Sequence, residues 1–147
     1  MQSLIETLLK KFPEAVLSVD VDTARSEVTV HVAASRILEI ARFLHDDPEA
    51  CFDHITDICS ADYPSDQQRF EVIYLLLSLP HGKRIRLKAR ITEDNPSLDS
   101  VTSVWRGAEF LEREVYDMMG IRFTGHPDLR RILLPEDYAE GYPLRKD

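Results

Sequence analysis

The run from Arg69 to Ile91 constrains the fold of this chain more than any other stretch. Arg69 to Leu79 is almost entirely apolar after Val72, Pro80-His-Gly82 is turn material, and Lys83 to Ile91 alternates without a break. Successive side chains of a strand point to opposite faces, so the second segment has Ile85, Leu87, Ala89 and Ile91 on one side. Arg84, Arg86, Lys88 and Arg90 then form a cationic ladder on the other. The first segment is apolar on both faces and is expected to be a central strand covered on both sides. A sheet built on these two strands has to bury its apolar side, and the rest of the chain must supply that layer.

The flanking segments supply helices and further strands. Ser3-Leu-Ile-Glu6 has the form of a capping box, followed by the helical stripe Ile5, Leu8, Leu9 and Phe12, which Pro13 ends. Ala15–Val21 and Glu27–Val32 read as strands around the turn Asp22-Thr-Ala-Arg-Ser26. Ser35 is placed to cap a second helix with the stripe Ile37, Ile40, Ala41 and Leu44, stopped at Asp46-Asp47-Pro48. Residues Cys51 to Tyr63 are ambiguous and are expected to enter a strand from Ile58. A third helix spans Trp105–Met119, with Val104, Ala108, Leu111, Val115, Met118 and Met119 on one face. Gly107 weakens its first turn, and Gly120 fits a left-handed stop. Glu109, Arg113 and Asp117 stack four apart on another face of this helix.

From Ile121 onward no helix or strand period is sustained, while Pro127, Pro135, Pro143, Gly125 and Gly141 punctuate the chain. Nine apolar residues, among them Ile121, Phe123, Leu134 and Leu144, are too many for a solvated tail. The expected architecture is α+β: two layers, one mixed or mostly antiparallel sheet with helices packed on it. Residues 1–120 form the body and 121–147 an extended C-terminal arm that lies on something.

Composition narrows the function classes. A length of 147 residues suits one domain that buries roughly 68–70% of its unfolded surface. No apolar run is long enough to span a membrane, and no basic-then-apolar leader opens the chain. A net charge of −8 argues against nucleic acid, and the cationic ladder has no interleaved aromatics on which bases could stack. That ladder fits either docking to an acidic partner or a solvated face that guards a strand edge. Cys51 and Cys59 cannot supply the four thiolates of an iron–sulfur cluster and are expected to be buried free thiols. The five histidines form no metal-ligand set, and His126 before Pro127 suits a turn or an interface. Glu112 and Glu114 lie about 200° apart around the helix, so they cannot jointly flank a substrate. Together with Asp117 they are expected to clamp arginines of the arm, such as Arg122, Arg130 or Arg131. No phosphate loop, nucleophile elbow or dinucleotide fingerprint occurs.

Glu112-Arg113-Glu114, Asp117-Met118-Met119, His126, Arg130 and Ile132-Leu133 stand at the spacing of a known signature. Together with the run Tyr116–Asp137, the ending Pro143-Leu-Arg-Lys-Asp147 and the stretch Arg69–Tyr74, the chain resembles the 30 kDa subunit family of respiratory NADH:quinone oxidoreductase, complex I. The likeness covers most of the chain from about Phe52; Met119 stands where an aromatic is frequent. The resemblance implies a structural and assembly subunit of a proton-translocating oxidoreductase, with no catalytic residues and no redox centre of its own. NADH, FMN, iron–sulfur clusters and quinone would belong to the complex, and none would be bound here. The implied partners are the hydrogenase-like, quinone-site large subunit and iron–sulfur subunits. The implied place is peripheral, on the cytoplasmic side of the bacterial inner membrane. Ending at Asp147, the chain resembles the form unfused to the quinone-site subunit. The interface residues implied are Glu112, Arg113, Glu114, Asp117, Arg122, His126, Arg130, Arg131, Leu134 and Arg145. The same module occurs in energy-converting membrane-bound hydrogenases, which stand as the alternative.

Overall fold

The structure is a computed structural model and describes residues 2–130 and 141–146. The elements run α1 (Gln2–Lys11), β1 (Val16–Asp22), β2 (Glu27–Val32), a 3-10 turn at Ala34–Arg36, α2 (Ile37–Asp46), β3 (His54–Asp62) and β4 (Phe70–Ser78). They continue with β5 (Lys83–Ile91), β6 (Ser97–Asp99), α3 (Ala108–Met119) and β7 (Arg122–Thr124). Five strands form one mixed sheet in the order β1-β2-β5-β4-β3. Only β2 and β5 are parallel; the other neighbours are antiparallel. A parallel neighbour requires a crossover, and the stretch from α2 through β4 provides it. The α+β architecture is therefore the one the sequence order implies.

Helical stripes and the inward strand residues meet in a single core. Leu8 of α1, Ile37, Ile40 and Leu44 of α2, and Val115 and Met119 of α3 join Val30, Leu87, Val72 and Tyr74 from the sheet. The alternation in β5 holds residue by residue, with Ile85, Leu87, Ala89 and Ile91 buried. The expectation for β4 holds on one face only. Phe70, Val72, Tyr74 and Leu76 are buried, whereas Ile73, Leu75 and Leu77 on the opposite face are only half-buried. The helical residues of the core all meet the sheet on the Val72–Tyr74 side, and among the described residues no helix covers the other face.

Several local expectations change. Ser3 lies inside α1, which already begins at Gln2, so it does not cap that helix. Ser35 sits within the 3-10 turn, and α2 has no side-chain cap. The helix expected from Trp105 begins at Ala108, because Trp105 is spent on the preceding turn, where its Nε1–H donates to Phe52 O at 2.8 Å. The ambiguous stretch resolves as β3 from His54. Residues 121–124, expected in the arm, are part of the body: β7 pairs in parallel with β6, and Ile121 and Phe123 are buried in the core. The unpaired stretch therefore starts after Thr124. Cys51 and Cys59 are free but half-buried rather than buried, and burial pushes the Cys59 thiol up.

Candidate functional site

α3 positions most of the residues singled out by their spacing. Its stripe Ala108, Val115 and Met119 is buried, and Gly120 closes it at φ 76°, with its N–H donating to Tyr116 O. The face carrying Glu109, Arg113 and Asp117 is covered as well: Arg113 and Asp117 are buried. Below the helix the chain passes through β7 and turns at Gly125-His126. His126 Nε2 contacts Glu109 O at 2.9 Å, while its Nδ1 accepts the Asp128 N–H at 2.9 Å. A neutral ring with its proton on Nε2 satisfies both bonds. Arg113 donates from Nε to Arg130 O at 3.3 Å and lies over the Phe110 ring at 5.4 Å. His126 and Arg113 thus pin residues 126–130 along α3 by backbone contacts.

The end of the chain returns to the same helix. Leu144 N–H donates to Met118 O at 3.1 Å, and Arg145 Nε–H donates to Met119 O at 2.7 Å. These are carbonyls of the last helical turn, which have no partner within the helix. The Arg145 guanidinium also lies 4.5 Å from the Tyr142 ring centre and 4.8 Å from that of Phe70. One residue on, Lys146 N–H donates to Asp62 Oδ2 at 2.6 Å. Asp62 is itself held by Arg69 through Nε (2.7 Å) and Nη2 (2.9 Å), a buried two-point pair, and Arg69 Nη1 reaches Glu93 at 3.1 Å. The Arg69 hydrogen bonds are the main cause of an Asp62 carboxyl held below the usual carboxylate range; burial opposes them.

Glu112 behaves differently from the clamp expected of it. It is fully buried and accepts the Ser100 hydroxyl at 2.6 Å and the Val101 N–H at 2.8 Å, so it fixes the 100–102 turn rather than an arm arginine. Burial pushes its carboxyl up to about 7, against the two hydrogen bonds, which lower it. Glu114 is exposed. Arg122 stacks on Tyr116 at 5.9 Å, and Arg130 pairs with Asp128 at 3.0 Å. The physical reason is register: Glu112 points into the core under the 100–102 turn, while Arg122 and Arg130 point outward. Arg131 and Leu134 lie outside the described residues. The Asp62–Arg69 pair and the acceptor role of Asp62 went unread in the sequence. Their signal was the antiparallel β3–β4 register, which sets Asp62 opposite Phe70.

Gly120 is where the chain end and the helix stop meet. A Cβ there would lie 2.6 Å from the Tyr142 ring and 2.8 Å from Arg145 Nη2. Gly120→Ala adds the left-handed backbone penalty of about 1–2 kcal/mol to that clash. The expected outcome is a modest fall in melting temperature with faster hydrogen exchange at the Leu144 amide. An unchanged Leu144 amide would show that the end of the chain does not rest on Gly120.

This arrangement is a set of holds: carboxylate and histidine contacts to backbone, and arginines on carbonyls and rings. Among the described residues no group of three His, Cys, Asp or Glu could hold a metal ion. No described helix is long and apolar enough to cross a membrane. Fold and site together define a mixed-sheet structural domain whose C-terminal segment is tied back to its last helix.

The relatives of the chain give that class a family. The family model for the respiratory-chain NADH dehydrogenase 30 kDa subunit matches residues 30–147, and the chain belongs to that family. It is 47% identical over 145 residues to the C subunit of the NADH-quinone oxidoreductase of Roseiflexus sp. (strain RS-1), covering 99% of this chain and 82% of the relative. It is 50% identical over 125 residues to the C subunit from Xanthobacter autotrophicus, covering 84% of this chain and 58% of the relative. Among solved structures, a trypsin-resistant fragment (1–134) of Nqo5 superposes with a TM-score of 0.72 at 32% identity, covering 87% of this chain and 98% of the fragment. A chain of an archaeal respiratory membrane complex, the membrane-bound sulfane sulfur reductase, superposes with a TM-score of 0.83 at 25% identity, covering 99% of this chain and 83% of the other.

Proposed function

We propose that this chain is the structural 30 kDa subunit of a proton-translocating NADH:quinone oxidoreductase, contributing to electron transfer by bracing neighbours that carry NADH, FMN, iron–sulfur clusters and quinone. The observation that carries this reading is the site itself. The residues at the family spacing hold backbone and one another, through Glu112 to Val101, His126 to Glu109, Arg113 to Arg130 and Arg145 to Met119. Such groups position chain segments; they do not offer a substrate two convergent reactive side chains. The partners in this reading are the hydrogenase-like, quinone-site large subunit and iron–sulfur subunits, met on the cytoplasmic side of the membrane. Residues 125–147 serve as the assembly arm, with Arg130, Arg131 and Leu134 as its interface positions, and Glu114 of α3 and Arg122 of β7 as interface positions on the body beside it.

The test is the isolated chain. Purified, it is expected to show no iron–sulfur absorbance, no stoichiometric iron and no NADH oxidation. Iron or turnover that survives purification would sink the reading. The second reading, the equivalent member of an energy-converting membrane complex with another electron donor, is favoured by the TM-score of 0.83 to the archaeal respiratory complex. Co-purifying NADH-oxidising proteins, rather than a hydrogenase or sulfur reductase, decide between the two.

A further inference from the structure

The sheet face turned away from the helices is striped. Cross-strand pairs set Leu77 beside Arg84, Leu75 beside Arg86 and Ile73 beside Lys88, so an apolar column on β4 runs alongside the cationic column of β5. Ile73, Leu75 and Leu77 are half-buried, an unusual state for three aligned aliphatic residues in the middle of a sheet. The cations are unequally satisfied. Arg90 is tied to Asp66 at 2.9 Å and to Gln68 O, whereas Arg86 and Lys88 reach Glu27 and Glu71 only at 3.9 Å. Arg84 is exposed and pairs with no carboxylate among the described residues. At this end of the strands a hollow of about 360 Å³ opens between Arg25, Arg84, Arg86, Leu75 and Leu77.

Geometry narrows the occupant. Neighbouring strands are about 4.8 Å apart, and a helix with its side chains is about 10–12 Å across, so one helix lying along the strands covers the β4 and β5 columns together. Its apolar stripe would meet the aliphatic column, and carboxylates along one flank would meet the guanidiniums, which bind them at two points. An anionic bilayer fits poorly. Asp20 and Asp22 of β1 and Asp57 of β3 share the face, and a uniformly negative surface would be repelled there. A chain of net charge −8 has no general attraction to a bilayer or to nucleic acid.

We propose that this face is covered by an amphipathic helix from another protein of the complex, its apolar stripe on Ile73, Leu75 and Leu77 and its carboxylates against Arg84 and Arg86. The proposal rests on the chain being one subunit of a larger complex, and it assigns a second docking surface, separate from the arm.

The experiment places a photo-crosslinking benzoylphenylalanine at Arg84 in the full chain, irradiates the complex in detergent-solubilised membranes and sequences the adduct. The expected adduct is a peptide of a different protein, with carboxylates at helical spacing beside apolar residues. An adduct with phospholipid, with a second copy of this chain or with a basic segment would overturn the proposal. So would a chain present in the complex that yields no protein adduct. As a second arm, the double variant Arg84→Glu/Arg86→Glu should melt close to the unaltered chain when isolated, yet fall about tenfold in occupancy of the complex, because like charges then face each other. Unchanged occupancy would overturn it. If the unaltered chain is missing from the complex altogether, the subunit reading fails first, which separates the two failures.

Discussion

Asp62→Ala is expected to cost about 3–5 kcal/mol, because it leaves the Arg69 guanidinium buried without its two-point partner. The side chains of Asp62 and Arg69 are 1% and 7% exposed, so solvent cannot replace the lost contact. For a chain of this size that corresponds to a fall in melting temperature of roughly 10–16 °C. Arg69→Lys should lose part of the same stability, since an ammonium lacks the fork that binds both oxygens. A paired replacement by apolar residues, Asp62→Leu with Arg69→Met, should recover part of the loss, because it removes both charges instead of stranding one. Asp62 also accepts the Lys146 N–H, so every variant at position 62 should loosen the end of the chain, seen as earlier proteolysis after Gly141. A loss below about 1 kcal/mol, the range of exposed pairs, would show that the pair is hydrated.

The second large effect is a pH dependence centred on Glu112. Its folded-state carboxyl titrates near 7, against an ordinary value of 4.5, with burial as the main cause. A carboxyl whose folded value is raised binds its proton more tightly in the folded state. Its contribution is fully present below about 4.5 and is lost as pH rises through about 7. The size is on the order of 3 kcal/mol. The expected result is a chain more stable near pH 5 than near pH 8. Glu112→Gln keeps an acceptor for the Val101 N–H and cannot ionise, so its stability should be nearly flat over that interval. Asp62 works in the opposite sense and at lower pH: its depressed carboxyl contributes above its unfolded value of 3.8 and is lost as pH falls below it. Denaturant unfolding at several pH values separates the two. If Glu112→Gln shows the same slope as the unaltered chain between pH 5 and 8, another group carries it.

Much of the body was legible because strand and helix periods are long there. β5 reads directly from its alternation, and the stripe of α3 predicts its inward face. β6 and β7 were not legible: three residues cannot establish a period, and their pairing joins segments far apart in sequence. That is why Ile121 and Phe123 read as arm anchors while in fact completing the core. β4 taught a different lesson. Apolar residues on both faces show that both are poorly suited to water; they do not show that this chain covers both. At the site, the acidic and basic residues at helical spacing were visible, but their partners were not. Glu112 serves a turn eleven and twelve residues earlier, a pairing that only the folded chain displays. The buried pair of Asp62 and Arg69 is local in sequence, yet it becomes evident only once the register across residues 63–69 is known.

As a brace, the chain should depend on the segment beyond the body to join its complex. Its end is tied to α3 and to Asp62, so removing it should cost some stability, at about 1 kcal/mol for each hydrogen bond lost. The body itself should stay folded, because its core is completed by residues up to Phe123. The decisive measurement compares the full chain with one ending at Arg130, each tagged at the N-terminus and isolated from detergent-solubilised membranes. The full chain should bring down iron–sulfur and NADH-oxidising proteins, while the shortened chain should be recovered folded and alone. A shortened chain that enters the complex normally, or a full chain that comes down with nothing, would contradict it.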